Sequence, residues 1–299
     1  MQIKEDRGYI ILAMQDFEYE QATALAYSIK LHNKDASVTL VTNYIDRIPK
    51  HFEEVFNYLI ELPYGSNDIT RVNDWQLYWA TPYKNNIVIN CASLVKENHN
   101  SIWEYLEDHY DIYFFNECND FRGMPLKNKT FELLKEEYNL KPVYSHMFYF
   151  KHDTDISLAF FKLADVFMQN WRDVFAHYFS KAHTPSSYDS NIMYSLLNTI
   201  VLFEHPSLHD NIINTINMPG TLASGNIGKW SKWTDRLNVW NSEHAKVKIQ
   251  NYAVATNLYY GEQEFLTEEI FNGHRDTYKA TAKRWSYLLY SIWQRWKYT

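Results

Sequence analysis

His205 and His209 stand four residues apart with Asp210 beside the second, a spacing that sets two imidazoles on one helix face for a metal ion. Pro206 breaks such a helix and no third ligand follows at a useful distance, so no metal centre is expected there. Cys91 and Cys118 are too few for a disulfide framework and show no C-x-x-C spacing, so they read as buried structural thiols in a reducing compartment. Serine-nucleophile chemistry finds no Gly-x-Ser-x-Gly elbow. Gly220, Gly225 and Gly228 spell neither phosphate-binding glycine pattern, and the chain has only 8 glycines in 299 residues from which to build one. P-loop phosphoryl transfer and glycine-fingerprint dinucleotide binding are therefore disfavoured. The stretch from Lys229 to Arg236 (KWSKWTDR) and the tail residues Trp285, Trp293, Arg295, Trp296 and Lys297 interleave cations with aromatic rings. Such a surface can hold a phosphate backbone and stack bases or lie on an anionic membrane. It can equally be an amphipathic helix whose tryptophans pack on the domain, and these readings stay open. On the nucleic-acid reading the contacts are Lys229, Lys232, Arg236, Lys283, Arg284, Arg295 and Lys297.

The elements that must position any site follow from pattern. Tyr9–Met14 is a short apolar run suited to a buried strand. Ala22, Leu25, Ala26 and Ile29 recur at helical spacing within 19–31, and 38–42 is a second strand. Strand, helix and strand in so short a span predict a βαβ unit with parallel strands. Further strands are expected at 58–62, 86–90, 111–115, 143–151 and 246–252, and helices near 74–80, 100–107, 156–170, 191–201 and 275–297. The segment 217–245 reads as loop. The fold class is α/β: a mixed nucleotide-binding sheet flanked by helices, with ligands gathering at the carboxyl ends of its strands. Net charge is −7, but residues 275–299 carry six cations against Asp276, so an acidic body bears a basic tail. No apolar run is long enough to span a membrane and the first residues lack a signal core, which points to a cytoplasmic protein. The expected division is a domain over 1–274 and a basic aromatic helix over 275–299.

The order of several pieces resembles the nucleotide-sugar glycosyltransferases of GT-A fold, in particular a group common in tailed phages and loosely related to glycogenin-like enzymes. The pieces are Ala13, Tyr19, Ala22 and 28–30; then 40–43; then Trp75, 81–84 and 87–94 (IVINCASL); then Tyr144–Ser145, Tyr149–Phe150, Phe160–Phe161, Asn170–Trp171 and Tyr188–Asp189. They span roughly residues 9–270. The resemblance implies a GT-A-like domain that moves a sugar from a nucleoside diphosphate to a hydroxyl, with a hydroxymethylated phage DNA base as one acceptor and the host cytoplasm as the location.

The resemblance also implies a site. Ala13, Tyr19 and Asn43 would meet base and ribose, the last two being equally suited to a core edge and a turn. Asp189 would orient a sugar hydroxyl or act as base, or cap the next helix. Asp120 and Arg122 would meet donor sugar or diphosphate, Arg being suited to bidentate oxyanion binding, or form a surface ion pair. Similar enzymes hold Mn²⁺ or Mg²⁺ against the diphosphate with two carboxylates and a late histidine. The matching positions here are Asn90, Ala92 and Tyr259, and a His-Met-Lys element appears as Asn217–Pro219. These departures imply an enzyme that works without the metal or is impaired, with Asp120, Asp189 or Glu262 as substitute ligands if a metal is kept. They also leave open a non-catalytic relative that serves as a binding or partner protein.

Overall fold

The computed structural model describes residues 2–127, 129–201, 214–219, 232–242 and 245–297, the side chains of 242 and 285–297 excepted. The strands are β1 (Glu5–Leu12), β2 (Val38–Thr42), β3 (Tyr58–Glu61), β4 (Tyr83–Ile89), β5 (Ser93–Leu94), β6 (Ile112–Phe115), β7 (Tyr144–Lys151), β8 (Thr215–Asn217), β9 (Val239–Ser242), β10 (Lys246–Ile249), β11 (Tyr252–Ala253) and β12 (Asn257–Tyr259). The helices are α1 (Asp16–His32), the one-turn α2 (Lys50–Glu53) and α3 (Leu77–Ala80), α4 (Asn100–His109), α5 (Lys129–Glu136), α6 (Asp155–Gln169), α7 (Trp171–Tyr178), α8 (Ser190–Val201) and α9 (Glu268–Lys297).

Six strands form the main sheet in the order β3-β2-β1-β4-β7-β6. The first four are parallel, and β7 runs antiparallel to both β4 and β6. This is the expected mixed α/β sheet flanked by helices. Alternation along its strands feeds two apolar layers. Tyr9 and Ile11 of β1 and Met147 and Tyr149 of β7 join the layer that α1, α4 and α9 cover. Ile10, Leu12, Phe148 and Phe150 join the layer beneath α6, α7 and α8. Because both faces are buried, the strands read as near-continuous apolar runs in the sequence.

Two small sheets lie beyond the main one: β11-β10-β9, and β5-β12-β8 from three distant parts of the chain. The segment expected as loop thus contains β9 and a 3₁₀ turn at Trp233–Asp235. The strand expected over 246–252 ends at Ile249, where Gln250 takes a φ of +53° and the chain turns back into β11. The expected helix at 74–80 is a 3₁₀ segment, Thr70–Gln76, continuing into α3. The tail helix begins at Glu268, so the boundary drawn after 274 falls inside one helix. The first turns of α9 dock on α1, with the Phe271 ring 6.2 Å and the Tyr278 ring 5.4 Å from that of Tyr27. No helix among the described residues is long and apolar enough to cross a membrane.

Candidate functional site

The sheet order reverses at β1, whose neighbours are β2 and β4, and such a switch point opens a crevice at the carboxyl ends of the strands. The turn out of β1 is tied by Glu18. Its Oε2 accepts from Met14 N (2.8 Å), Gln15 N (3.1 Å) and Thr70 Oγ1 (2.9 Å), joining the α1 entrance to the segment after β3. Asp16 and Glu18 place two carboxylates in the first turn of α1, which makes this helix terminus a poor place for a phosphate.

Ala13 and Tyr19 are fully covered. The Tyr19 hydroxyl lies 2.9 Å from Thr42 Oγ1 and reaches Met14 O and Asn43 Oδ1 at 3.4 and 3.5 Å, so the residue links the ends of β1 and β2 and offers no open ring. Asn43 is half-buried. Beside it Tyr44 is 50% exposed, with the Arg47 guanidinium 4.6 Å from its ring centre.

At the end of β4, Asn90 N donates to His146 O (2.8 Å), and Asn90 Oδ1 accepts from Ala92 N (2.9 Å). Ala92 O receives Tyr260 N (3.0 Å), and Tyr259 pairs with Ser93 on one side and Asn217 on the other. Gly261 holds a φ of +70°, and the Pro219 ring lies 2.5 Å from where a Cβ would sit. The positions matched to the metal and diphosphate motifs, Asn90, Ala92, Tyr259 and 217–219, are thus brought together. The donor set does not fit a hard divalent cation, which wants several anionic oxygens. The Asn90 amide oxygen is engaged, Ala92 offers nothing, and Tyr259 stacks on His146 with ring centres 5.0 Å apart. Burial pushes the Tyr259 phenol up, and burial followed by the charge of Arg71 holds His146 neutral, down to about 3. His146, Ser93 and Thr215 line a cavity of about one water's volume, and His146 Nδ1 and Nε2, Ser93 Oγ and Thr215 Oγ1 have no protein partner. Among the described residues no cluster of three or more His, Cys, Asp or Glu is spaced to hold a metal. Cys91 is buried and donates to Gln21 Oε1 at 3.6 Å. Burial pushes both thiols up, in keeping with a structural role.

The strongest local charge is one the sequence did not single out. Arg71 pairs with Asp74 at 2.9 Å and donates to Ser145 O at 2.7 Å. Asp74 is fully buried and also accepts from the Tyr194 hydroxyl at 2.9 Å. Burial pushes its carboxyl up to about 6 against the pull of Arg71. Arg71 Nε and Asp74 Oδ1 remain buried without a partner, which is costly in a closed core and marks this as a place for water or ligand. The Tyr188 hydroxyl donates to Arg71 O at 3.3 Å, which brings Asp189 alongside. Asp189 caps α8, Oδ1 accepting from Asn191 N (2.9 Å) and Ile192 N (3.2 Å), and burial raises its carboxyl while those bonds oppose the shift.

Asp120 and Arg122 make the ion pair with each other. Oδ2 takes Nε and Nη2 at 2.8 and 2.6 Å, while Oδ1 takes Arg122 N and Met124 N. Asp120 is 3% exposed and saturated, so it holds a turn and has no free oxygen for a metal. Glu262 likewise spends its oxygens on Trp233 N and Thr234 Oγ1. Of the expected DNA contacts, Lys232 pairs with Glu264, and Arg236, Lys283 and Arg284 are exposed. Trp233, expected on the same surface, is instead fully buried with its Nε1 donating to Tyr260 O. Lys229 and the His205, His209 and Asp210 set lie outside the described residues, as do the side chains of Arg295 and Lys297.

No family model and no curated protein matches the chain. Solved structures do. The galactosyltransferase LgtC, in complex with donor and acceptor sugar analogs, is similar at 9% identity over 94% of this chain and 96% of that one, TM-score 0.49. Mouse xyloside xylosyltransferase 1 in its apo form is similar at 13% identity over 68% and 84%, TM-score 0.44. The bifunctional glycosyltransferase WbbM is similar at 12% identity over 55% of this chain, TM-score 0.37, and this chain spans only 34% of its length. The likeness is one of backbone course alone.

Proposed function

We propose that the chain is a glycosyltransferase whose nucleoside diphosphate sugar lies across the crevice between β1 and β4, with its diphosphate toward Arg71. The observation that carries this reading is the buried, Asp74-held Arg71, with an unpartnered Nε, at the switch point beside Tyr259, His146 and Asp189. When the bond from the anomeric carbon to the diphosphate oxygen breaks and the acceptor hydroxyl oxygen takes its place, its proton passing to the departing phosphate, negative charge grows on the nucleotide as the bond stretches. A fixed guanidinium in a desolvated site stabilises that charge without a metal. On this reading Asn43 and the exposed Tyr44 meet base and ribose, Asn90, Ala92 and Tyr259 stand toward the diphosphate, and Asp189 orients a hydroxyl of donor or acceptor. DNA as the acceptor has less support, because Trp233 is buried and Lys232 is neutralised by Glu264.

Titration calorimetry with UDP, GDP and ADP, each with Mn²⁺ or with EDTA, tests the reading. The expected result is binding of one nucleotide that Mn²⁺ leaves within about threefold, and at least a tenfold loss in Arg71→Met. Absence of nucleotide binding sinks the enzyme reading, and binding that requires Mn²⁺ sinks the arginine-for-metal reading. The engaged Asn90 and the Tyr259–His146 stack favour one rival, a non-catalytic scaffold. It predicts nucleotide binding without hydrolysis of any nucleoside diphosphate sugar on prolonged incubation.

A further inference from the structure

The segment that leaves β3, residues 62–70, displays an aromatic ring under unusual restraint. Tyr64 is 51% exposed, yet its ring lies nearly parallel to Trp75 (centres 5.3 Å apart, 18° between planes), with Trp79 edge-on at 6.0 Å. Two fully buried amides fix the backbone beneath it. Gln76 Oε1 accepts from Tyr64 N (2.9 Å) and Gln76 Nε2 donates to Gly65 O (3.1 Å). Asn73 Oδ1 accepts from Asn67 N (2.8 Å), and its Nδ2 donates to Asn67 O (2.9 Å). Committing two buried amides to one surface loop leaves the ring little freedom to lose when a ligand arrives. The loop is keyed to the proposed donor site through Thr70, bound to Glu18, and runs directly into Arg71.

We infer that the Tyr64 face, with the exposed Ser66, Asn67 and Asp68 that follow it in the same loop, is the contact surface for a neutral saccharide, which on the glycosyltransferase reading is the acceptor. A flat ring backed by a second ring suits the C–H face of a pyranose, and the short amide, hydroxyl and carboxylate side chains of the same loop suit hydroxyl groups. Charge selects against the alternative that also stacks on tyrosine. Residues 62–70 contain one Asp and neither Lys nor Arg, and Arg71 beyond them is a single cation that the donor diphosphate takes up on the proposed reading. A nucleic acid needs cations along its phosphates.

Saturation-transfer NMR with lactose, maltotriose and chitotriose, and with the oligonucleotide dT10 as the opposing probe, decides the matter. At least one saccharide should receive transfer on its ring protons from the intact chain, and dT10 none. Affinity should fall at least tenfold in Tyr64→Ala and in Tyr64→Leu, the second of which keeps Trp75 covered, and should survive in Tyr64→Phe and Tyr64→Trp. UDP titration of Tyr64→Leu should match that of the unaltered chain, so loss of the saccharide surface and loss of the donor site read out separately. No transfer to any of the three saccharides, equal transfer in Tyr64→Leu, or Tyr64-dependent binding of dT10 overturns the inference.

Discussion

Arg71 and Asp74 sit three residues apart on the 3₁₀ segment, and burial makes each dependent on the other. Asp74→Asn leaves a desolvated guanidinium without its counter-charge, a change that costs about 3–5 kcal/mol when a buried pair is broken. Urea denaturation at pH 7 should show a loss of that size, and a loss below about 1 kcal/mol would mean that the pair is effectively solvated. The residues that matter most were the least visible in the sequence. Arg71, Glu18, His146 and Tyr64 belong to no spaced motif, and their weight comes from burial and from partners far along the chain. The signals that existed were slight: a Gln15-to-Glu18 capping box and an Arg and Asp at i, i+3 ahead of an aromatic run. Of the positions matched through the resemblance, Ala92, Tyr259 and Asn217 come close together through the pairing of β5, β12 and β8. What that pairing could not reveal was the stacking of Tyr259 on His146.

Among the elements, β1 to β4 and β6, β7, α6 and α8 were legible within a few residues. Their apolar runs are long enough to announce a two-faced core. The short strands β5, β8, β9 and β12 were not, since polar residues interrupt them and they exist only through their partners. The helix expected near 74–80 overlaps only the end of the 3₁₀ stretch Thr70–Gln76, because the stretch is buried almost throughout and its apolar pattern carries no clear period. The pairing of β1 with β4 depends on a missing side chain. A Cβ on Gly8 would lie 2.3–2.5 Å from the Tyr83 ring, whose hydroxyl is bound by Ser37 and Thr39 at 2.9 and 2.8 Å and cannot swing away freely. Gly8→Ala should therefore cost about 1–3 kcal/mol, the range for overpacking a core. Gly65→Ala, where nothing lies within 4 Å, should change the denaturation midpoint little.

The whole molecule carries an acid liability. Burial holds His99 at about 4 and His146 and His274 at about 3, and His32, less covered, at about 4. In the unfolded chain these imidazoles take protons near 6.5. A depressed folded value gives stability that is complete above the unfolded value and is lost as pH falls through the folded one. Asp74 acts in the opposite sense, its raised carboxyl favouring the folded chain as pH drops below about 6, and offsets part of one histidine. Each of the three fully buried histidines should cost about 1.4 kcal/mol per pH unit below 6.5. The urea midpoint should fall steeply from pH 6.5 to 4.5, and less steeply in His274→Leu. An equal slope in both proteins would show that the imidazole of His274 is hydrated in the folded chain.

The small sheet β5-β12-β8 has a further bearing on how the molecule comes to exist. Its strands come from residues 93–94, 215–217 and 257–259, so it joins segments far apart in the chain beside the crevice. All six strands of the main sheet, by contrast, are complete by Lys151. A chain emerging from the ribosome can close the main sheet while the Tyr259 edge is still unmade, and the loop entropy of the late closure must be met last. Chains truncated before 257 would keep the strands of the main sheet without the edge that Tyr259 forms, and the nucleotide binding proposed above should be absent from them.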